Sequence, residues 1–262
     1  MPDAPTGPWL SIITVVKDDP EGFARTAESI AGQNLKGVEW VVIDGSGNAA
    51  LIPGILAHQA PLNATYAWHE PRGVYSAMNT GLAQASGTYA YFANAGDTFY
   101  DSDSVSVIHD VISRESPVWM FGQACFVDGS GSTVTPPPLD YAREKELSFS
   151  RGRFPPHQGT VASREALLSF GGFDSTFRVS ADYAAFLRLS LLADPAMTTR
   201  TIATFHNGGL SSTAWRESVR DMHRARLETL RPTGAGALRE RLETASQTTR
   251  MRLARLIGRV RD

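Results

Sequence analysis

Leu10 to Val16 reads Leu-Ser-Ile-Ile-Thr-Val-Val, a nearly continuous run of β-branched side chains. A run with no polar face fits a strand covered on both sides, and such strands belong to parallel sheets. Val38 to Ile43 is a second run of the same kind. Between them, Asp19-Pro20 marks a helix start, because the carboxylate can cap free amides and proline tolerates the first helical position. Phe23, Ala27, Ile30 and Ala31 share one face of that helix, and Gly32 ends it. The alternation continues with a helix through Leu51, Ile55 and Leu56, a strand from Asn63 to His69, a helix from Val74 to Ala85 closed by Gly87, and a strand from Thr88 to Ala93. The order β-α-β-α-β-α-β predicts an α/β fold, with a mostly parallel central sheet flanked by helices on both faces.

Beyond Asp101 the pattern predicts a helix through Val105, Ile108 and Ile112, and a strand from Val118 to Phe121. A hairpin turn follows at Asp128 to Gly131, and an irregular connection at Pro136 to Pro138. Asp182 to Leu192 predicts an apolar helix and Arg200 to Phe205 a short strand. From Ala214 the composition shifts towards Arg and Glu at helical spacing, broken near Pro232 to Gly236, which predicts two further helices.

Composition narrows the class. A hydrophobic fraction of 42% and a charged fraction of 20% are those of a globular protein, and a net charge of −2 gives no footing for a nucleic-acid partner. Cys125 is the single cysteine, so neither a disulfide framework nor a cysteine-based zinc site is expected. Met1 to Trp9 has neither a basic nor an apolar leader segment, and no run approaches the roughly 18 apolar residues of a membrane span. A cytoplasmic protein is expected.

The chemistry-bearing residues gather where strands end, the edge at which open α/β sheets bind ligands. Asp18, Asp44 and Asp97 follow the first, second and fourth strands. Each could cap a turn, since Asp commonly does. Asp97, in Asn94-Ala95-Gly96-Asp97, is also a hard oxygen ligand suited to a divalent cation that holds a phosphate. Asp44-Gly45-Ser46-Gly47 could present a carboxylate and open amides to a ribose or base, although no Gly-x-Gly-x-x-Gly follows the first strand, which disfavours a dinucleotide enzyme. Arg72, just before a helix start, could clamp a diphosphate, whereas Tyr75 and Met78 read as core. His157 and Gln158 follow a proline-stiffened loop. Asp182 could complement a helix dipole or act as a general base, and His206 could join Asp97 on a metal or flank a glycine loop.

In order and spacing these segments resemble the inverting family 2 glycosyltransferases of GT-A fold, in particular the bacterial branch that builds surface polysaccharides and glycolipids. The carrying residues are Ser11 to Val16, Val42-Ile43-Asp44-Gly45-Ser46, Gly73 to Gly81, Asn94-Ala95-Gly96-Asp97, His157-Gln158, Ala181-Asp182-Tyr183 and Gly208-Gly209-Leu210-Ser211. The resemblance implies a nucleotide-diphosphate-sugar donor held by Val16, Asp18, Asp44, Ser46, Arg72, Asn79, Asn94 and Ala95. It further implies Mn2+ or Mg2+ on Asp97 with His206, an acceptor side at His157 and Gln158, and Asp182 as catalytic base. Asn94 and Gly96 stand where many relatives carry acids, and Ser76 where this branch often has Asp. The implied layout is a GT-A domain over residues 1–212, with a nucleotide-binding half at about 10–100 and an acceptor half at about 101–212, then a helical extension over 213–262.

In that extension Leu253, Leu256, Ile257 and Val260 form an apolar stripe, and Arg252, Arg255 and Arg259 another face. Such a helix suits either the inner face of an anionic membrane, where a lipid-linked acceptor would lie, or packing on the body or a second subunit. The competing functions are a nucleotide-sugar-binding protein without transfer and, more weakly, a nucleotidyltransferase, for which Lys17-Asp18-Asp19-Pro20 lacks a phosphate-cradling glycine loop.

Overall fold

β1 (Leu10–Val16) is buried along its whole length and runs parallel to β2 (Val38–Asp44) on one side and β4 (Tyr89–Phe92) on the other. β3 (Thr65–Trp68) extends the parallel set beyond β2. The connections are α1 (Pro20–Ala31), α2 (Leu51–Gln59) and α3 (Val74–Gln84), so the expected alternation is found. Asp19 accepts from the Gly22 amide at 2.8 Å and Pro20 takes the first helical position, as the sequence predicts. This computed structural model describes residues 7–48, 50–59, 64–127, 131–136, 138–141, 149, 154–206 and 214–256.

Past β4 the sheet becomes mixed. Its order is β3-β2-β1-β4-β8-β6-β9-β5, with β7 (Thr133–Val134) paired to β6. β8 (Thr160–Ser163) runs antiparallel between β4 and β6 (Trp119–Val127), β9 (Ala196–His206) runs parallel to β6, and β5 (Thr98–Phe99) antiparallel to β9. β8 is not among the predicted strands. Four residues between a 3-10 turn (His157–Gly159) and α5 (Arg164–Ser169) show no periodicity to read, and they become a strand because β4 and β6 both offer open edges. β6 and β9 are longer than predicted for the same reason, and their pairing contains bulges around Gln123.

Strand alternation divides the core in two. Ile12, Trp40, Val42 and Tyr91 face α1 and α4 (Ser104–Glu115), while Ile13, Val41, Ile43 and Phe92 face α3 and α6 (Ala181–Leu192). Gly81 lets α3 lie directly on β1, since a Cβ there would collide with the Ile13 side chain.

The two C-terminal helices, α7 (Trp215–Leu230) and α8 (Ala235–Leu256), break where expected, with Arg231 and Gly234 at positive φ. α7 packs on α6 through a buried polar network. Arg226 is fully buried and donates to Glu240 at 2.7 Å, the Tyr183 hydroxyl at 2.9 Å, the Phe149 carbonyl at 3.2 Å and Thr244 at 3.0 Å. Asp221 accepts from the Val179 amide at 3.0 Å and Ser218 meets Ser180 at 2.9 Å, so α7 also holds the start of α6. No helix among the described residues is long and apolar enough to cross a membrane. The side chains of Arg255 and Leu256, and all of Ile257, Arg259 and Val260, lie outside the described residues, as do Gly208 to Ser211 and most of the predicted hairpin turn at Asp128 to Gly131.

Candidate active site

Parallel register brings the ends of β1, β2 and β4 to one edge, where Val16 is opposite Asp44 and the Ala95 amide donates to the Val15 carbonyl at 3.0 Å. A cleft of about 540 Å³ opens there, and Val16, Arg72, Asn94 and Ala95 line it. Asp44 lies beneath, fully buried, with Oδ1 accepting from the Ser46 amide at 2.8 Å and Oδ2 from the Tyr66 hydroxyl at 3.0 Å. Burial and that bond push the Tyr66 hydroxyl up to about 12. Ser46 Oγ accepts from the Asp18 amide at 2.9 Å, and Asp18, at φ 54, accepts from Gly47 at 2.9 Å. A hydrogen bond from Lys17, then that from Gly47, hold the exposed Asp18 carboxyl below its ordinary value. Asp18, Asp44 and Ser46 thus knit two strand ends into one loop, as Asp at a strand end often does.

Arg72 projects from the loop before α3, where Gly73 takes φ 100. Its ion pair with Glu70 at 3.2 Å is largely exposed on both sides, and such pairs are weak, so the guanidinium is available to an anion. Asn79 is placed elsewhere. Its amide brackets Phe173, donating to the carbonyl at 2.6 Å and accepting from the backbone N–H at 2.8 Å, and it does not line the cleft.

Asp97 and Asp182 come together through His157. The ring stands 3.6 Å from Asp97 through Nε2 and 3.5 Å from Asp182 through Nδ1, with all three side chains largely buried. Burial opposes charging the imidazole, but hydrogen bonds and the charges of Asp182 and Asp97 outweigh it and raise His157 to about 9. The ring is therefore an imidazolium at neutral pH. Asn94 Nδ2 stands 3.3 Å from Nε2 while its buried Oδ1 lacks a partner, and turning the amide over places that oxygen on the Nε2 proton. Gln158 sits beside the ring with its carbonyl accepting from Tyr91 at 2.8 Å.

This arrangement has a pH consequence. A folded-state value raised from 6.5 to about 9 stabilises the fold fully below pH 6.5, and the contribution fades as pH rises through 9. We expect metal-free protein to lose on the order of 3 kcal/mol across that window. Urea denaturation from pH 6 to pH 10 checks it, since His157→Gln should flatten the slope.

Two supports escape the sequence reading. Tyr75, read as core, is buried, but its hydroxyl reaches the Val179 carbonyl at 2.5 Å and Asp182 Oδ1 at 3.2 Å, steadying that carboxylate. Burial, and then the Asp182 charge, move its own ionisation far above the usual range. Thr26 on α1 donates to the Asp97 carbonyl at 2.8 Å and accepts from the Gly96 amide at 3.0 Å, clamping the turn. A buried aromatic or threonine at helical spacing carries no signal of either contact. Tyr75→Phe should cost roughly 1–3 kcal/mol of stability, measured by thermal unfolding.

A cation fits here in one form only. Among the described residues no group of three or more His, Cys, Asp or Glu side chains could cage a metal. Asp97 faces His157 through Oδ2, and among the described residues no hydrogen bond or ion pair engages Oδ1, which suits a hard ion that takes its other ligands from phosphate and water. The pairing of Thr98 with Thr204 brings the β9 end, with His206, next to Asp97, although the His206 side chain lies outside the described residues.

The parallel sheet with its acidic carboxyl edge, joined to a mixed half, is the GT-A fold. The chain matches Glycosyl transferase family 2 over residues 11–168 and belongs to that family. It is 30% identical over 211 residues to "Uncharacterized glycosyltransferase Rv1514c" of Mycobacterium tuberculosis, covering 79% of this chain and 78% of that one. It is 27% identical over 214 residues to a "PGL/p-HBAD biosynthesis glycosyltransferase" of Mycobacterium bovis, covering 79% and 80%. The fold is shared with the mannosyltransferase PcManGT of Pyrobaculum calidifontis in complex with GDP-Man and Mn2+ (TM-score 0.65, 16% identity, 95% of this chain and 76% of that one). It is shared also with S. aureus TarS 1-349 in complex with UDP (TM-score 0.62, 15% identity, 83% of this chain), of which the chain spans 65%. The protein is a glycosyltransferase enzyme.

Proposed function

We propose that this enzyme moves a sugar from a nucleotide-diphosphate-sugar to a hydroxyl of a glycan or lipid-linked acceptor, with inversion at the anomeric carbon. The observation that carries the reading is the placement of Asp97 and Asp182 on either side of His157, beside the cleft at the carboxyl edge. Val16 and Ala95 border the nucleoside end, Asp44 beneath them holds that edge through Ser46 and Tyr66, and Arg72 contacts the phosphates bidentately. A divalent cation held by Asp97 and His206 would supply charge stabilisation to the departing nucleotide diphosphate. Asp182 takes the proton of the acceptor hydroxyl, and the oxygen attacks the face of the sugar opposite the leaving group. A single base with no second nucleophilic carboxylate leads to inversion, by the logic of inverting glycoside hydrolysis. His157 keeps the two carboxylates apart and oriented.

The test is a thermal-shift panel of UDP-, GDP- and dTDP-sugars with and without Mn2+. A donor at about 100 times its Kd adds roughly 2.7 kcal/mol. A metal-dependent shift with one nucleotide class, lost in Asp97→Ala, supports the proposal. Silence with every donor favours a protein that has kept the fold and lost transfer.

We further propose peripheral contact between α8 and an anionic bilayer, on the inner face of the cell membrane. Leu238 and Leu242 are 60% and 62% exposed, and Arg239, Arg241, Arg250 and Arg252 share that exposed side with no exposed acid. Replacing both leucines by Gln should abolish salt-sensitive binding to anionic liposomes. Truncation after Pro232 is a poor test, because it removes Glu240 and strands Arg226. Binding that persists in the double variant points instead to a second subunit as the partner of this face.

A further inference from the structure

A second cavity, of about 690 Å³, is lined in part by Pro155 and Pro156 and shares no lining residue with the first cleft. Small-molecule pockets span roughly 300–1,000 Å³, so its size is that of a ligand site. Its walls are hydrocarbon: Phe121, Leu139, Phe154, Met197 and Phe205, with Pro138. Its few polar side chains are already engaged or at the rim. Gln123 donates to the Pro136 carbonyl at 3.4 Å, Asp140 has a partner, and Thr199 is exposed.

Position gives this cavity its meaning. Pro156 lines it, and the next residue, His157, stands 3.5 Å from Asp182. Its wall is thus one residue from the His157–Asp182 pair. Among the described residues the lining offers a sugar ring few polar side chains, those of Gln123, Asp140, Thr198 and Thr199, so a ring placed deep among the apolar walls would leave hydroxyls without partners, which is unfavourable. An aryl ring or alkyl chain would lose only water.

We propose that this cavity binds an apolar aglycone, aryl or alkyl, attached to the acceptor hydroxyl. The proposal rests on the transferase reading, in which Asp182 deprotonates that hydroxyl. The enzyme would then choose acceptors by the hydrocarbon group next to the hydroxyl.

Binding can be tested without turnover. Phenyl, octyl and methyl β-D-glucopyranoside, the octyl compound below its micelle concentration, are titrated by saturation-transfer NMR. The phenyl or octyl glycoside should bind at least about ten-fold tighter than the methyl glycoside, and which of the two leads tells an aryl from an alkyl preference. Thr199→Trp and, separately, Met197→Trp place a bulky ring at exposed positions of the wall and should each weaken that binding by about ten-fold or more. Circular dichroism confirms folding of both variants. Equal affinity for all three glycosides, or an apolar preference that survives both variants, overturns the assignment. If nucleotide shifts are seen without an apolar preference, the cavity assignment fails and the transferase reading stands. If the apolar preference is seen and lost in the variants without any nucleotide shift, the cavity binds apolar groups, but its role as an acceptor subsite falls with the donor and mechanism proposed above.

Discussion

Asp182→Asn should lose sugar transfer by about 10²–10⁴-fold while donor affinity stays within about two-fold, because general-base assistance acts only as the acceptor hydroxyl is attacked. The amide is isosteric and still accepts from Tyr75, so the start of α6 should keep its shape. The measurement pairs single-turnover rates with calorimetric titration of the donor in Mn2+. Parallel loss of rate and donor binding would mean that Asp182 holds the donor and that the base is elsewhere. The Tyr75→Phe variant sharpens the comparison, since it frees one oxygen of the same carboxylate without altering its charge.

Arg226→Met should destabilise the protein by about 3–5 kcal/mol, because it breaks a buried ion pair and leaves the Phe149 carbonyl and the Tyr183 hydroxyl without their donor. Only His223 at 2.9 Å and Thr244 then stay on the Glu240 carboxylate. Burial opposes the charged guanidinium, but Tyr183 and Glu240 favour it more, and its ionisation is raised further above neutral pH. The double variant Arg226→Met with Glu240→Leu should recover much of the loss, as apolar replacement of a whole buried pair is often neutral. Urea denaturation of the three proteins measures this, and a cost under about 1 kcal/mol for the single variant would show that the network adds little. The consequence reaches the site: Arg226 binds the hydroxyl of Tyr183, the neighbour of Asp182, and the carbonyl of Phe149. The C-terminal helices lie outside the matched family segment, yet they buttress the helix that carries the proposed base.

How far the sequence could be read depended on how local each cause is. The runs at Leu10 and Val38, the Asp19-Pro20 start and the strand expected from Thr88 to Ala93 all sit where predicted, because periodicity and caps act over a few residues. Tyr75 and Asp182 are 107 residues apart, and Asn94 and His157 are 63 apart, so no local pattern announces those contacts. β8 was invisible because four residues became a strand only between two waiting edges. Asn79 shows the opposite failure. Its position in a motif suggested a ligand contact, while the folded chain uses its amide to hold the Phe173 backbone.

By itself the sequence determined the alternating α/β half, the carboxyl edge on which Asp18, Asp44 and Asp97 stand, and the resemblance to its family. Those follow from short-range sterics and the burial of continuous apolar strands. Only the tertiary structure decided that His157 lies between Asp97 and Asp182, that Arg226 ties the C-terminal helices to α6, and that Pro155 and Pro156 line an apolar cavity. Each of these joins segments distant in the chain, and their partners are chosen by which surfaces remain open once the sheet has formed.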